Sequence, residues 1–234
     1  MSSGPLEPVA PFSCRERSER MGDSAGFVLA GGESSRMGRD KALLSFAGQP
    51  LIARAISILR EAGLPVSIAG ARSPALAEFA SVIEDSGPGL GPLAGICAAL
   101  ASTSAKQAVF LPVDLPLLPS SLIVYLLHQA RIAGHAVTVP TVNGFAETFP
   151  AVLDRAILPM LKAELGAGRN GCFSAFQRAA SVLNQPISTV AVELLAQSGH
   201  VDHPLGLAPF RWFLNLNNAA DLAQAEGLIA KRIA

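Results

Sequence analysis

The chain has 234 residues, half of them hydrophobic and 15% charged, and its 18 basic and 18 acidic side chains leave a formal net charge of zero. That length suits one medium domain with a proper core, and so apolar a composition argues against disorder over most of it. A neutral balance also argues against a general nucleic-acid binder, while leaving room for a small phosphorylated ligand at one local basic cluster.

Residues 1–24, MSSGPLEPVAPFSCRERSERMGDS, carry three prolines and the charged run RERSER. They lack the apolar stretch of a signal peptide, which predicts a disordered tail ahead of a single domain over 25–234. No apolar run is long enough to span a membrane, so a cytoplasmic protein is expected. GFVLA reads as a buried strand. PLIARAISILREAG reads as a helix, with Pro50 near its first turn, Leu51, Ile52, Ala55, Ile56 and Leu59 on one face, and Gly63 at its end. PVSIAG is a second strand, SPALAEFA a short helix, SVIED a third strand and GPLAGICAALAS a helix of small residues. AVFLPVD is a strongly apolar strand, PSSLIVYLLHQARIAG a helix starting at Pro119 and Ser120, and HAVTVP another strand. Beyond residue 146 the order loosens. TFPAVL reads as a strand, DRAILPMLKAELGAG as a helix interrupted near Pro159, and RNGCFSAFQRAA as a helix. Residues 184–210 give no clear pattern. WFLNLN reads as a final strand and NAADLAQAEGLIAKRIA as a closing helix capped by Asn218.

Strands alternating with helices of this length predict an α/β fold, a Rossmann-like three-layer α/β/α arrangement around a mostly parallel mixed sheet. In such a sheet the ligand lies at the carboxyl ends of the strands. Three loops follow strands in this reading, AGGESSRMGRDK, DSGPGLGPLAG and DLPLLPS, so all three are expected on one edge, sharing a site. Cys14, Cys97 and Cys172 are odd in number and far apart, which suggests neither a disulfide framework nor a zinc site. His128, His135, His200 and His203 have no metal spacing, and the pair His200 and His203 reads as a loop feature.

The first loop, in LAGGESSRMGRDKALL, is rich in phosphate chemistry. Glycines after a buried strand let backbone N–H groups approach a ligand closely, Arg36 and Lys41 supply cationic donors, and Ser34 and Ser35 supply hydroxyls. A nucleoside triphosphate is the natural partner. A Walker A loop does not fit, because Lys41 follows Asp40 and precedes Ala42, and GLGPLAG does not space its glycines as a dinucleotide fingerprint does. Asp114 ends an apolar strand, where a carboxylate can hold Mg²⁺ jointly with phosphates or cap a turn. Asn215 and Asn217 flank Leu216 and so share one face of the predicted strand. Asp85, ahead of a glycine-rich loop, can accept from ribose hydroxyls or a base edge, or serve an Asx turn. Gly89, Gly91 and Gly95 permit close backbone approach to a ligand or close helix packing.

The order L-A-G-G, S-x-R-M-G, D-K-x-L-L in this stretch closely resembles the signature of the molybdenum cofactor guanylyltransferases, nucleotidyltransferases that transfer a nucleoside monophosphate from a triphosphate. The resemblance continues in order through DSGPGLGPLAGI, VFLPVDLPLL, GFAETFPAVL and FLNLNNAADL, from residue 26 to about 226. It implies that Leu29, Ala30 and Gly31 contact the base and nucleoside, and that Gly32 to Arg36, with Ser34 among them, wrap the phosphates. Lys41, with Arg36, then neutralises charge on the α-phosphate and leaving group. Asp114 is the family's metal aspartate, and an amide, Asn217 in preference to Asn215, lies near the metal. Asp85 and Gly91 fall in the nucleotide-binding region. Glu147 falls in the acceptor-side segment, where Arg169 is placed to meet the acceptor's phosphate or simply to begin an exposed helix.

Two positions depart from the family pattern. Ala71 stands where an asparagine often helps to read the nucleotide, which leaves the base open, and Pro112 stands where a cysteine is usual before the aspartate. The function implied is Mg²⁺-dependent transfer of GMP from GTP to molybdopterin-bound molybdenum, giving the guanine dinucleotide cofactor and pyrophosphate. The implied partners are GTP and a molybdopterin-type cofactor, with molybdoenzymes or cofactor-insertion proteins downstream, and neither nucleic acid nor membrane. Two rivals stand beside it. One is a cytidylyl- or sugar-nucleotidyltransferase; against the cytidylyl cofactor enzyme stand the second glycine of LAGG and the Asp40–Lys41 pair. A non-catalytic module that hands cofactor to an apo-enzyme is opposed by the retention of Lys41 and Asp114.

Overall fold

The computed structural model describes residues 23–31, 40–71, 73–85, 87 and 90–233. Strand β1 (Ser24–Leu29) is followed by a 3-10 turn (Lys41–Leu43), a ribbon of β2 (Ser45–Phe46) and β3 (Gln49–Pro50), and helix α1 (Leu51–Glu61). Next come β4 (Val66–Ala69), a 3-10 helix (Pro74–Glu78), β5 (Val82–Ile83), α2 (Pro92–Ser102) and β6 (Gln107–Pro112). The second half runs α3 (Ser120–Ala133), β7 (Val137–Val142), β8 (Phe145–Ala146), β9 (Ala151–Asp154), a 3-10 turn (Arg155–Ile157), α4 (Leu158–Gly166) and α5 (Cys172–Val182). It closes with β10 (Ser188–Ala191), α6 (Val192–Gln197), α7 (Pro209–Trp212) and α8 (Ala219–Ile233).

The main sheet has the order β10-β7-β9-β6-β1-β4-β5, with β8 paired to β7. β1, β4, β5 and β6 are mutually parallel, β9 runs antiparallel to both β6 and β7, and β10 is parallel to β7. This is the mostly parallel mixed sheet that the alternation of elements predicts. The central strands are apolar on both faces because helices cover both. Val28, Val109 and Leu111 join one core with α1 and α3, while Phe27, Leu29 and Phe110 join a second core with α2, α4 and α5. From β1 the chain leads to β4 and β5 on one side and returns through α2 to β6 on the other. The order therefore reverses between β1 and β6, and a crevice opens at their carboxyl ends.

Several expectations shift in detail. SVIED pairs only at Val82 and Ile83, so Asp85 lies beyond the strand. Pro159 does not interrupt a helix; it sits in the first turn of α4, where its missing N–H costs nothing, and Asp154 caps the preceding 3-10 turn. WFLNLN forms no strand. Trp212 closes α7, and residues 214–217 run alongside the loop after β6, held there by the Leu216 N–H donating to the Asp114 carbonyl at 3.0 Å. Asn218 does cap α8 as expected, its Oδ1 accepting from the N–H groups of Ala220 (2.8 Å) and Asp221 (3.0 Å).

The unpatterned stretch 184–210 contains the edge strand β10 and the short helix α6, then returns to support the loop after β6. His203 is buried there: its Nε2–H donates to the Leu117 carbonyl at 2.9 Å, its Nδ1 accepts from the Leu205 N–H, and burial lowers its pKa. Trp212 donates to the Leu207 carbonyl at 2.7 Å and packs beside the His203 ring.

The predicted tail, 1–24, lies outside the described residues up to position 22, Cys14 included. Its last two residues are tied to the sheet, Ser24 as the first residue of β1 and Asp23 by hydrogen bonds just ahead of it. Asp23 accepts from the N–H groups of Lys106 (side-chain Oδ1, 2.9 Å) and Gln107 (carbonyl, 3.2 Å), and Arg131 donates to the Ser24 hydroxyl at 2.9 Å. A chain starting at Ala25 should therefore be less stable than one starting at Asp23 by about 1–3 kcal/mol. The melting temperature should fall by roughly 2–4 °C per kcal/mol. Equal melting of the two truncations would show that these bonds contribute nothing.

Candidate active site

The crevice brings together side chains from three distant parts of the chain. Lys41 opens the 3-10 turn downstream of β1. Asp40 caps that turn by accepting from the Ala42 N–H at 3.0 Å, and buried Ala42 anchors it against α1. The turn sends the lysine toward the end of β6, where Nζ donates to Asp114 Oδ2 at 2.9 Å. The same ammonium donates to Asn217 Oδ1 at 3.1 Å. Lys41 and Asp114 are only 19% and 23% exposed, so the pair is sheltered but reachable from solvent.

Asn217 is positioned from below. Its own N–H donates to Asp221 Oδ2 at 2.8 Å, and the Asn218 N–H reaches the same oxygen at 3.1 Å. Asp221 thus acts reciprocally with the Asn218 cap, as in a capping box. Asp221 has a positioning role that the sequence reading did not assign, although the N-A-A-D spacing carries the signal. Of the two asparagines, Asn217 is the one that meets Lys41.

The nucleotide-side residues divide into two groups. Leu29 ends β1, and its carbonyl accepts from the Val113 N–H; the Ala30 N–H donates to the Ala69 carbonyl. Gly31 lies so close to β4 that a Cβ on it would stand 2.5 Å from the Gly70 carbonyl oxygen. Gly70, which the sequence reading passed over, has φ +73 and lies where Gly31, Gly95 and Asp85 converge. Gly95 serves close helix packing, since a Cβ there would be 3.3 Å from Gly70 Cα. Asp85 accepts from the Gly87 N–H at 3.3 Å, the Asx-turn role, and its Oδ2 faces Gly70. Gly91 has φ +69 and begins α2, so that helix's N-terminus opens on the strands' carboxyl edge. Ala71 is buried at 1% exposure and offers no reading group. Gly32, Ser34, Ser35, Arg36 and Gly89 lie outside the described residues.

The acceptor side is less direct. An Asn143–Gly144 turn with φ of 51 and 79 joins β7 to β8, and the Asn143 N–H donates to Glu193 at 2.7 Å. The hairpin continues into Glu147, whose N–H donates to the Pro140 carbonyl and whose carboxyl burial pushes above its ordinary range. Arg169 is committed elsewhere. Its guanidinium forms a bidentate pair with Glu164 (both contacts 2.7 Å), and Arg178 donates to the same carboxylate. Asn170 follows within 4.0 Å of a Cβ built on Gly91, so the turn itself borders the site.

The Arg169 and Arg178 guanidinium groups hold the Glu164 carboxyl down at about 2, with the hydrogen bond from Arg169 the larger cause. A depressed folded-state pKa stabilises the fold above the unfolded carboxyl's range and stops doing so as pH falls through the folded value. The melting difference between wild type and Glu164→Gln should therefore shrink as pH falls from about 4.5 toward 2. A difference independent of pH over that window would contradict the assignment.

No cysteine among the described residues suits nucleophilic catalysis. Burial raises the Cys97 thiol to about 11 and the Cys172 thiol to about 12. No helix among them is long and apolar enough to cross a membrane. What the crevice offers is a cation, a carboxylate and an amide at the switch point, beside a close-packed glycine turn.

A family model, the MobA-like NTP transferase domain, matches residues 26–232. The chain belongs to this family. This MobA-like transferase is 33% identical over 207 residues to the molybdenum cofactor guanylyltransferase of Rhizobium meliloti, covering 85% of this chain and 88% of the relative. It is 44% identical over 107 residues to the molybdenum cofactor guanylyltransferase of Xanthomonas euvesicatoria; that match covers 45% of this chain and spans about half, 54%, of that relative. Among solved structures, molybdopterin-guanine dinucleotide biosynthesis protein A from Archaeoglobus fulgidus superposes with a TM-score of 0.70 at 22% identity, covering 88% of this chain and 99% of that one. At that identity the superposition speaks for the fold alone, a nucleotidyltransferase fold.

Proposed function

We propose that this nucleotidyltransferase transfers GMP from GTP to the terminal phosphate of molybdopterin carrying molybdenum, releasing pyrophosphate. The observation that carries the reading is the convergence of Lys41, Asp114 and Asn217 at the β1/β6 crevice, in a chain of this family. The guanylyltransferase name of the Rhizobium relative, matched over most of both chains, favours guanine over other bases.

An oxygen of the acceptor phosphate attacks the α-phosphorus, a new P–O bond forms, and the bond to the bridging oxygen breaks as pyrophosphate leaves. No protein nucleophile is needed, so the residues work by positioning and charge. Lys41 places its positive charge where negative charge builds on the α-phosphate and the departing oxygens. Arg36, Gly32 and Ser34 are assigned to the triphosphate, together with the N-terminus of α2 behind Gly91. Leu29, Ala30 and Gly31 line the nucleoside's approach, and Asp85 takes the base edge or ribose hydroxyls. Glu147 belongs to the acceptor side.

The residues present suit Mg²⁺. Asp114 Oδ2 and Asn217 Oδ1 are hard oxygens that already converge on one cation, the lysine ammonium. A site with a single carboxylate is what Mg²⁺ uses when phosphates supply other ligands. When bound, the ion would withdraw charge from phosphoryl oxygens.

Base choice is tested by competition between triphosphates at fixed Mg²⁺. Guanine presents N1–H and N2–H to a carboxylate as a pair, whereas cytosine and adenine offer one amine each, and an unpaired buried acceptor is costly. GTP should bind in preference to CTP and ATP, by a margin reduced by the absence of a reading amide at Ala71. CTP displacing GTP at equal concentration would replace the guanylyl reading with the cytidylyl one.

A further inference from the structure

The Lys41 ammonium stands 2.9 Å from Asp114 Oδ2 and 3.1 Å from Asn217 Oδ1, and so occupies the point on which the two assigned metal donors converge. We propose that Lys41 and the divalent cation are alternative occupants of this point: metal entry releases the lysine, and the freed ammonium turns to the triphosphate. The proposal rests on the assignment of Asp114 and Asn217 as metal donors.

The argument is one of charge and donor count. Two of the three ammonium donors are already taken by the oxygens that a metal would require. Among the described residues Asp114 is the one carboxylate within hydrogen-bond reach of the ammonium, and Asp221, near Asn217, is turned to the backbone N–H groups of Asn217 and Asn218. No cluster of three or more His, Cys, Asp or Glu suited to a metal exists among the described residues. One carboxylate does not neutralise an ammonium and a divalent ion held at the same oxygens, so the two cations repel and exclude each other. A triphosphate changes the balance by giving Lys41 another anion to hold. Metal and triphosphate should then each raise the affinity of the other, and by linkage to the same extent. The lysine thereby keeps the donors ordered and weakens metal binding until the triphosphate arrives.

The test is Mn²⁺ binding to nucleotide-free protein, followed by electron paramagnetic resonance, for wild type, Lys41→Met and Asp114→Asn. Lys41→Met should bind Mn²⁺ about tenfold tighter than wild type, within the usual range of coupling, and Asp114→Asn should bind it more weakly. Equal or weaker binding by Lys41→Met, with Asp114→Asn still impaired, would overturn the exchange while leaving the metal assignment standing. Unchanged binding by Asp114→Asn would overturn both. A second measurement needs no variant. Saturating Mn²⁺ should raise labelling of Lys41 by an amine reagent several-fold in the wild type, while the exposed Lys106 and Lys162 stay constant. Labelling of Lys41 that does not respond to metal would overturn the proposal.

Discussion

Lys41→Ala should lower turnover by about 10²–10³-fold, the usual cost of removing one preorganised charge contact at a developing oxyanion. The lysine is placed by structure rather than by chance of a flexible side chain. The Asp40 cap fixes its turn, and Asp114 and Asn217 fix its ammonium. Binding of the triphosphate moves that charge onto phosphate oxygens, where it gains most as the bond to the leaving group stretches. The loss should therefore appear mainly in kcat. Stability should change little, because a partly exposed ion pair contributes only about 0–1 kcal/mol. Single-turnover kinetics and a melting curve separate the two effects. Near-normal turnover, or a loss that merely follows unfolding, would remove Lys41 from the chemistry.

Gly31→Ala should damage both fold and activity. Its new methyl carbon would stand 2.5 Å from the Gly70 carbonyl oxygen and 3.1 Å from the carbonyl carbon, and both are backbone atoms with no rotamer to yield. The end of β1 must then move away from β4. Overpacking of this kind costs about 1–3 kcal/mol. Gly31 is also assigned to the nucleoside's approach, and a misplacement of about 1 Å at such a position lowers rates by about 100-fold. Gly227→Ala is the matched control. It lies within α8 with nothing near its added carbon, and should stabilise the protein by about 0.5–1 kcal/mol. If both substitutions had the same effect on melting and turnover, the close approach of Gly31 to Gly70 would carry no weight.

The parallel half of the fold was legible because its strands are buried on both faces. GFVLA and AVFLPV are continuous apolar runs, and between them α1 keeps a 3.6-residue period while α2 is marked by its run of small apolar residues. The loops that carry Lys41 and Asp114 are expected on one sheet edge because each comes after such a strand. The misreadings have local causes. L-N-L-N alternates as a strand does, yet its backbone partner is the carbonyl of Asp114, in a loop that no periodicity marks. In the stretch 184–210 a short edge strand and a short helix lead into a segment held by single long-range bonds, such as His203 to the Leu117 carbonyl, which leave no pattern in sequence. Arg169 reads as available for an acceptor phosphate, or as the start of an exposed helix, because nothing in the local sequence shows that Glu164 binds it jointly with Arg178. Gly70 carries no mark of its own in the sequence, because one glycine after a strand is common. Its role depends on Gly31 and Gly95 arriving from either side.

The guanylyl assignment is tested most directly by incubating the purified protein with Mg²⁺, molybdopterin carrying molybdenum, and GTP labelled at the α-phosphate, with CTP in a parallel reaction. The account predicts that the label passes into a guanine dinucleotide cofactor, with one pyrophosphate released for each product formed, and that both fail without acceptor. A cytosine dinucleotide formed from CTP at an equal or greater rate would contradict it, as would pyrophosphate release with no labelled dinucleotide.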